Sequence, residues 1–510
     1  MQICQNTIFF ISFGRFIGVN LPKLIFFVYL WQISNIISIK MEEILIGRKK
    51  EKKLLAKIYN SNKAEFVAVY GRRRVGKTFL IREFYNEKIV FQTAGLSIGG
   101  TKEQLKNFYK SVCRYDKTAK NAPDDWLDAF DLLIDYLEKI NIDRKVIFLD
   151  ELPWMDTPNS GFITALEHFW NGWASGRKDI ILIVSGSATS WMMNNLIMNY
   201  GGLHGRLTQK IFLQPFDLDE TNTFLKNKGI NLSSYELAEC YMILGGIPYY
   251  LEFLDRSMSL AQNIDRTIFN PNGELYSEFQ SVYCSLFKKP DLYIKTVEAL
   301  SRKSKGLSRN EIIAELNIKS GNALTSVLED LEYCGFIRKY NILKSQKNSI
   351  YQLTDFFTLF YFHFVEKSSF YNLQYWSNIQ RSNEFYTWAG YTFEMLMLQN
   401  IEKIKQKLGI SGVKTEVYAW RSKTSDPGAQ IDLVIDRNDN TINLCEIKFC
   451  ESEFAIDKDY DRILRNKITA FITETKTKKT VQLTMITTHG LKQNMYSSTA
   501  QNEVVLEDLM

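Results

Sequence analysis

Cysteine is scarce and unpatterned in this chain of 510 residues. Its 7 cysteines, Cys4, Cys113, Cys240, Cys284, Cys334, Cys445 and Cys450, are scattered. The one close pair, Cys445 and Cys450, has neither a zinc-ligand nor a dithiol redox spacing. They read as reduced, buried thiols of a cytoplasmic protein. A strong charge imbalance is missing too. The formal net charge is +6 at pH 7, which permits a nucleic-acid partner without arguing for one. The chain also lacks the uninterrupted run of about 18 apolar residues that a spanning helix needs. The nearest approach, "IFFISFGRFIGVNLPKLIFFVYLWQISNIISI" from Ile8 to Ile39, is broken by Arg15, Pro22 and Lys23, so no stable membrane insertion is expected. It has no basic leader and no small-residue cleavage site, which argues against a signal peptide. Residues 1–40 stay open to three readings. They are an over-extended start with Met41 as initiator, favoured by the following "MEEILIGRKKEKKLLAKIY", a membrane anchor, or a docked extension.

What is present is a globular composition, 45% hydrophobic and 24% charged. The length exceeds what one core organises, and three or four domains are expected. "FVAVYGRRRVGKTFLIREFY", Phe66 to Tyr85, is a short buried strand, a loop and a helix. The loop Gly71-Arg72-Arg73-Arg74-Val75-Gly76-Lys77-Thr78 has the G-x-x-x-x-G-K-[ST] spacing in the context that gives it meaning. Its glycines let backbone N–H groups wrap phosphates at a helix N-terminus. Lys77 is placed for the β- and γ-phosphates of ATP and Thr78 for Mg²⁺. A second strand, in "RKVIFLDELPWM", ends in Asp150, expected to orient the Mg²⁺ shell, and Glu151, expected to act as general base toward the attacking water. A third, in "DIILIVSGSATSWM", ends at Ser185, either a sensor of the γ-phosphate or a helix cap. Arg206 in "GGLHGRLTQKIFLQPF" follows a glycine-rich turn. It is either an arginine that reaches the γ-phosphate of its own or a neighbouring subunit, or a surface charge.

Together with "LIGRKKEKKLL" and "LGGIPYYL", these motifs resemble prokaryotic ATPases of the AAA+/STAND group, from Met41 to the C-terminus. The resemblance implies an ASCE P-loop core, a helical lid, a winged helix and a C-terminal domain. It also implies that Pro248 of Gly246-Ile247-Pro248 packs on the nucleotide base. Read without it, that tripeptide is a helix-ending turn.

From Asp217 to about Pro290 the apolar spacing is helical. Ser308 and Glu311 form a capping box. A second helix carries Leu324, Leu328 and Leu331 on one stripe and ends at Gly335. Phe336–Tyr340 and Ser349–Leu353 pair as a wing. The recognition helix of this winged helix carries Glu329, Asp330 and Glu332, with no lysine or arginine from Gly321 to Ile337. Phosphate contacts need cations, so a structural role is favoured over DNA binding.

In "DPGAQIDLVIDRNDNTINLCEIKF" two strands flank the turn Asn438-Asp439-Asn440. Asp432 is followed fourteen positions later by Glu446-x-Lys448. Side chains two apart in a strand share a face. This is the arrangement of the PD-(D/E)XK nuclease fold, with Gln430-Ile431 where the motif's proline would stand. Asp432 and Glu446 would hold a divalent metal, and Lys448 would position or deprotonate the attacking water. Glu394, on the upstream helix "WAGYTFEMLMLQNIEKIK", is a candidate further ligand. Arg462, Arg465 and Lys467 on a later helix are candidates to face a nucleic-acid backbone. The plainer alternative is a same-face salt bridge between Glu446 and Lys448.

The expected architecture is therefore α/β throughout. Residues 1–40 are an extension, 41–215 the P-loop ATPase core, 216–290 the lid, 291–365 the winged helix and 366–510 a restriction-endonuclease-like domain. ATP and Mg²⁺ are the expected cofactors. DNA or RNA, and a second copy of the chain, remain open as partners. The leading functional reading is an ATP-hydrolysing regulator coupled to a nuclease-like effector. The other is an ATP-gated binding or signalling scaffold whose C-terminal domain does not cleave.

Overall fold

The computed structural model describes residues 45–118, 121–198, 201–319, 321–341, 349–368, 372–422 and 428–510. The expectations for residues 1–40 and for Met41 lie outside the described residues. The first unit is a five-stranded parallel sheet, β1 Glu65–Tyr70, β2 Ile89–Ala94, β3 Lys145–Asp150, β4 Ile180–Gly186 and β5 Gln209–Phe212, in the order β2-β3-β4-β1-β5. Its central strands read as unbroken apolar runs because both faces are covered. Val67, Val69, Phe148 and Ile183 face one layer with Leu55 and Leu80 of the helices Lys49–Tyr59 and Lys77–Tyr85. Phe66, Ala68, Leu149 and Leu182 face the other layer, with Phe108, Trp126 and Phe162. The strand before the phosphate loop, β1, does not pair with the acidic strand β3. Instead β4 lies between them and pairs with each in parallel register.

After β5 the chain is helical to residue 286, with Asp217 and Ser233 each opening a helix through a capping box with Glu220 and Glu236. A smaller three-stranded antiparallel sheet follows, β6 Leu307–Ser308, β7 Ile337–Asn341 and β8 Ser349–Leu353, in the order β6-β8-β7. Ser308 accepts from the Glu311 amide and Glu311 from that of Ser308, as the capping box predicts. The helix Asn322–Tyr333 buries Leu324, Val327, Leu328 and Leu331. The last unit is a mixed five-stranded sheet, β9 Thr415–Arg421, β10 Gln430–Arg437, β11 Thr441–Lys448, β12 Thr480–Thr487 and β13 Asn502–Val505, in the order β13-β12-β11-β10-β9. The helices Asn383–Gln399 and Lys458–Thr475 belong to it.

One continuous apolar cluster runs from Phe216 through Leu244, Tyr283, Leu331, Phe360 and Trp376 to Ile447 and Leu509. The helical region, the three-stranded unit and one face of the mixed sheet thus share a core, while the other face of that sheet packs in two smaller clusters around Phe471 and Leu464. Among the described residues no helix is long and apolar enough to cross a membrane.

Candidate functional sites

The phosphate loop leaves β1 at Gly71, whose φ of +141° and a Cβ that would meet the Leu213 carbonyl at 2.4 Å require glycine. The loop re-enters a helix at Gly76, φ +89°, where a Cβ would meet nothing within 4 Å. That open concavity lies at the N-terminus of the helix Lys77–Tyr85, where backbone amides point outward. Lys77 is buried and donates to the carbonyls of Gly71 and Arg72, both at 3.0 Å. Burial pushes its ammonium below the usual lysine value, opposed by Glu151 and Asp150. Such an ammonium, held only by two neutral carbonyls, suits a phosphate better than its present partners.

Because β4 separates β1 from β3, its C-terminal end bridges the two motifs. Thr78 Oγ1 donates to Asp150 Oδ2 at 2.7 Å, and Ser185 Oγ donates to Asp150 Oδ1. Asp150, Thr78 and Ser185 therefore form one hydrogen-bonded set. Ser185 acts on the aspartate, not as a helix cap. Glu151 sits in the left-handed region at φ 47°, an uncommon cost for a non-glycine residue. Its Oε2 accepts from the Ser187 amide at 3.0 Å and hydroxyl at 2.9 Å. Arg206 is exposed, in the turn before β5. Pro248 opens the short helix Pro248–Leu251, and the Phe216 amide donates to the Gly246 carbonyl at 2.7 Å.

The three loop arginines separate sharply. Arg72 is ion-paired with Asp355, both side chains about 5% exposed, and lies over the Phe336 ring at 4.9 Å. Arg74 makes a two-point pair with Glu278 at 3.0 and 3.1 Å over the ring of Tyr249. Arg73 makes neither kind of contact among the described residues; its charge acts on Lys77. Sequence reading missed Arg48, in "LIGR". Its buried guanidinium donates to the loop carbonyl of Val75 at 2.9 Å and to that of Gln214 at 2.7 Å. The only local signal was an arginine next to a glycine.

The second candidate site lies on the mixed sheet. Glu446 is buried, and Lys467 Nζ lies 2.7 Å from each of its carboxylate oxygens. Tyr460 donates to Glu446 at 3.3 Å, and Lys448 Nζ lies 5.2 Å from the centre of the same tyrosine ring. Both strand residues thus share a face, as their spacing predicts. Tyr460 and Lys467, seven apart, share one helix face. Asp432 Oδ2 accepts from the Ile447 amide at 3.1 Å. Burial and Asp432 push Glu446 above the usual carboxylate range, against Lys467. Glu394 is pushed up to about 7 by burial and by Asp432.

Two features bear on the metal and backbone-contact readings. Among the described residues no three acidic, histidine or cysteine side chains converge as a metal-holding group. Asp432, Glu446 and Glu394 are electrostatic neighbours, but Glu446 is turned onto Lys467 and Asp432 onto a backbone amide. The helix cations are each paired with a carboxylate: Arg465 with Asp461 at 2.9 Å, Arg462 with Asp459 at 3.1 Å, and Lys467 with Glu446. The simple Glu446–Lys448 salt bridge is not formed, because Lys467 takes the carboxylate.

A phosphate loop on a β2-β3-β4-β1-β5 sheet, with an acidic strand joined to it across β4, defines a P-loop ATPase domain. Residues 45–254 match a family described as an ATPase domain predominantly from Archaea, and the chain carries an ATPase domain of this type. Over 435 residues it is 26% identical to an uncharacterized protein of Methanocaldococcus jannaschii, covering 82% of this chain and 90% of that one. A 43-residue stretch, 8% of this chain, is 49% identical to an uncharacterized ATP-binding protein of the same organism and spans 73% of it. Among solved structures, a Walker-type ATPase of Pyrococcus abyssi is similar over 62% of this chain and 96% of its own, with TM-score 0.48 and 19% identity. The ORC2 protein of Aeropyrum pernix in ADPNP and ADP complexes covers 65% of this chain and 94% of its own, with TM-score 0.39 and 13% identity.

Proposed function

We propose that the protein is an ATP-hydrolysing switch coupled to a C-terminal domain of the PD-(D/E)XK type that acts on a phosphodiester backbone. The units would divide as 41–215, 216–290, 291–365 and 366–510, the third being a winged helix in a structural role. The observation that carries the nucleotide half is the Thr78–Asp150–Ser185 set, which joins the loop to the acidic strand. The open space at Gly76 and the weakly held Lys77 fit a triphosphate; Thr78 and Asp150 fit a Mg²⁺ bound with it. That ion, when present, compensates charge on the β- and γ-phosphates. Lys77 and Arg73 contact the phosphates. Glu151, once released from Ser187, takes the proton of the attacking water at its carboxylate. Lys77→Ala should abolish ATP binding, and Glu151→Gln should retain binding while losing hydrolysis. Unchanged ATP affinity in Lys77→Ala would sink the assignment.

For the C-terminal half, Asp432 and Glu446 supply two hard oxygen donors that suit a divalent cation, and Lys448 would orient a water beside them. One observation favours the second reading, a domain that binds without cutting. The Lys467 ammonium already neutralises Glu446, so a metal must displace it. Calorimetric titration with millimolar Mn²⁺, alongside incubation with plasmid, single-stranded DNA and RNA with and without ATP, separates the two. Metal binding with cleavage supports an effector nuclease, and neither supports a binding scaffold.

A further inference from the structure

The carboxylate face of the mixed sheet is walled in part by the small three-stranded unit. The loop before β6 carries Lys305, whose ammonium donates to Gln430 Oε1 at the start of β10, two residues from Asp432. The loop is fixed from several sides. The Ser304 carbonyl accepts from Tyr391 Oη and from Gln352 Nε2, both at 2.7 Å, and the Lys305 carbonyl accepts from Tyr340 Oη. Gly306 makes this approach feasible. Its φ is +75°, and a Cβ would meet the Tyr351 carbonyl at 2.3 Å. Any other residue would lift the loop from the sheet and carry Lys305 with it. On the next strand, Arg338 donates to Gln352 Oε1 at 2.7 Å and acts electrostatically on Glu394.

Among the described residues no carboxylate is bonded to Lys305. Its hydrogen-bond acceptor is a neutral amide, and a second cation, Arg421 at the end of β9, stands beside it. Burial and Arg421 push its ammonium below the usual lysine value, more than Glu394 and Asp432 restore it. A partly desolvated cation crowded by a second one, without a full counter-charge, gains from an anion. The fixed pair of units thus places Lys305 and Arg338 beside the carboxylates of the mixed sheet from the side of the three-stranded unit.

We propose that Lys305, backed by Arg338, is a phosphate-binding residue of the C-terminal site, so that the groove for a nucleic-acid backbone lies between the three-stranded unit and the mixed sheet. This rests on the reading of the mixed sheet as phosphodiester-directed. It adds that the sheet domain alone does not hold the complete site. Beyond its structural role, the winged unit would then contribute to nucleic-acid binding through its β6 loop and β7, and not through the acidic helix Asn322–Tyr333.

The test measures binding of the full chain to fluorescein-labelled single-stranded DNA, single-stranded RNA and duplex DNA, each about 20 nucleotides long, in EDTA, across a salt series. The variants are Lys305→Gln, Gly306→Ala and, as a remote control, Lys226→Gln. Melting temperatures are recorded in parallel. The expected result is binding of at least one probe by the wild type. Lys305→Gln should weaken it several-fold and lower the slope of log affinity against log salt by roughly 0.7–0.9, one phosphate contact. Gly306→Ala should weaken binding likewise, and Lys226→Gln should not. If the wild type binds but Lys305→Gln binds equally, or more tightly because the lysine plugs the site, the proposal is overturned while the phosphodiester reading stands. If the wild type binds none of the probes, that reading falls and takes this one with it. Lys305 is exposed on its loop, so its replacement is not expected to unfold the chain.

Discussion

At the scale of single residues, the loop "GRRRVGKT" shows how three neighbours of one type acquire different work. Arg72 and Asp355 are buried together, and removing one partner of such a pair costs about 3–5 kcal/mol. Arg72→Ala is therefore expected to lower thermal stability markedly. Arg73→Ala should leave the melting temperature within a degree or two of wild type and weaken ATP binding; calorimetry and thermal melts on both variants check this. Glu239 offers a pH-dependent case. It is 1% exposed, its Oε1 accepts from Trp376 and Gln380 at 3.3 Å, and its Oε2 has no partner among the described residues. Burial pushes it up to about 7, with Glu236 adding to the rise and Arg381 opposing it. The folded state therefore prefers the protonated acid. Below the ordinary carboxylate range both states are protonated and no penalty applies. Between about 4.5 and 7 the unfolded chain ionises first, so stability falls as pH rises and stays lower above 7. The penalty is on the order of 3 kcal/mol. Glu239→Gln should flatten the decline in melting temperature between pH 5 and pH 8; an unchanged decline would place its origin elsewhere.

At the scale of elements, β11 shows where a sequence stops being readable. Its burial, its antiparallel pairing with β10 and the common face of Glu446 and Lys448 all follow from period-two alternation and a turn signal. The phosphate loop and the acidic strand were equally legible, because their chemistry is local and spacing alone carries it. The capping box at Ser308 was legible for the same reason. What spacing could not supply was which cation would reach Glu446. Lys448 is two residues away but Lys467 arrives from a helix packed across the strand, and only tertiary packing decides between them. In the same way Arg72 meets Asp355 from 283 positions away, and no local rule anticipates that. A prediction belongs at this scale. Lys467→Met leaves Glu446 buried beside Asp432 without a counter-ion, so stability should drop by about 3–5 kcal/mol. Millimolar Mn²⁺ should recover part of the loss in Lys467→Met but not in the double variant with Glu446→Gln. Thermal melts with and without Mn²⁺ read this directly.

At the scale of the whole molecule, one apolar cluster joins the helical region, the three-stranded unit and a face of the mixed sheet, whereas the parallel sheet keeps cores of its own. Tyr235, in the helical region, stacks on Phe449 after β11 with ring centres 4.4 Å apart, and Trp376 donates to Glu239 across the same seam. Cutting the chain at residue 365 would expose this apolar surface on both pieces. Residues 45–365 and 366–510 expressed separately are expected to aggregate, while co-expression recovers a complex. Size-exclusion chromatography decides it, and two monodisperse, independently folded pieces would refute the shared core. The loop arginines carry the same lesson into descent. Arg72 and Arg74 lie within residues 45–254, the stretch that matches the ATPase family, while their partners Asp355 and Glu278 lie outside it. Among relatives, residue 72 should change only together with 355, and 74 only together with 278. The ATPase domain is thus expected to be inherited with its downstream half as one piece, and a chimera that joins it to another relative's C-terminal half should fail unless both acids come with it.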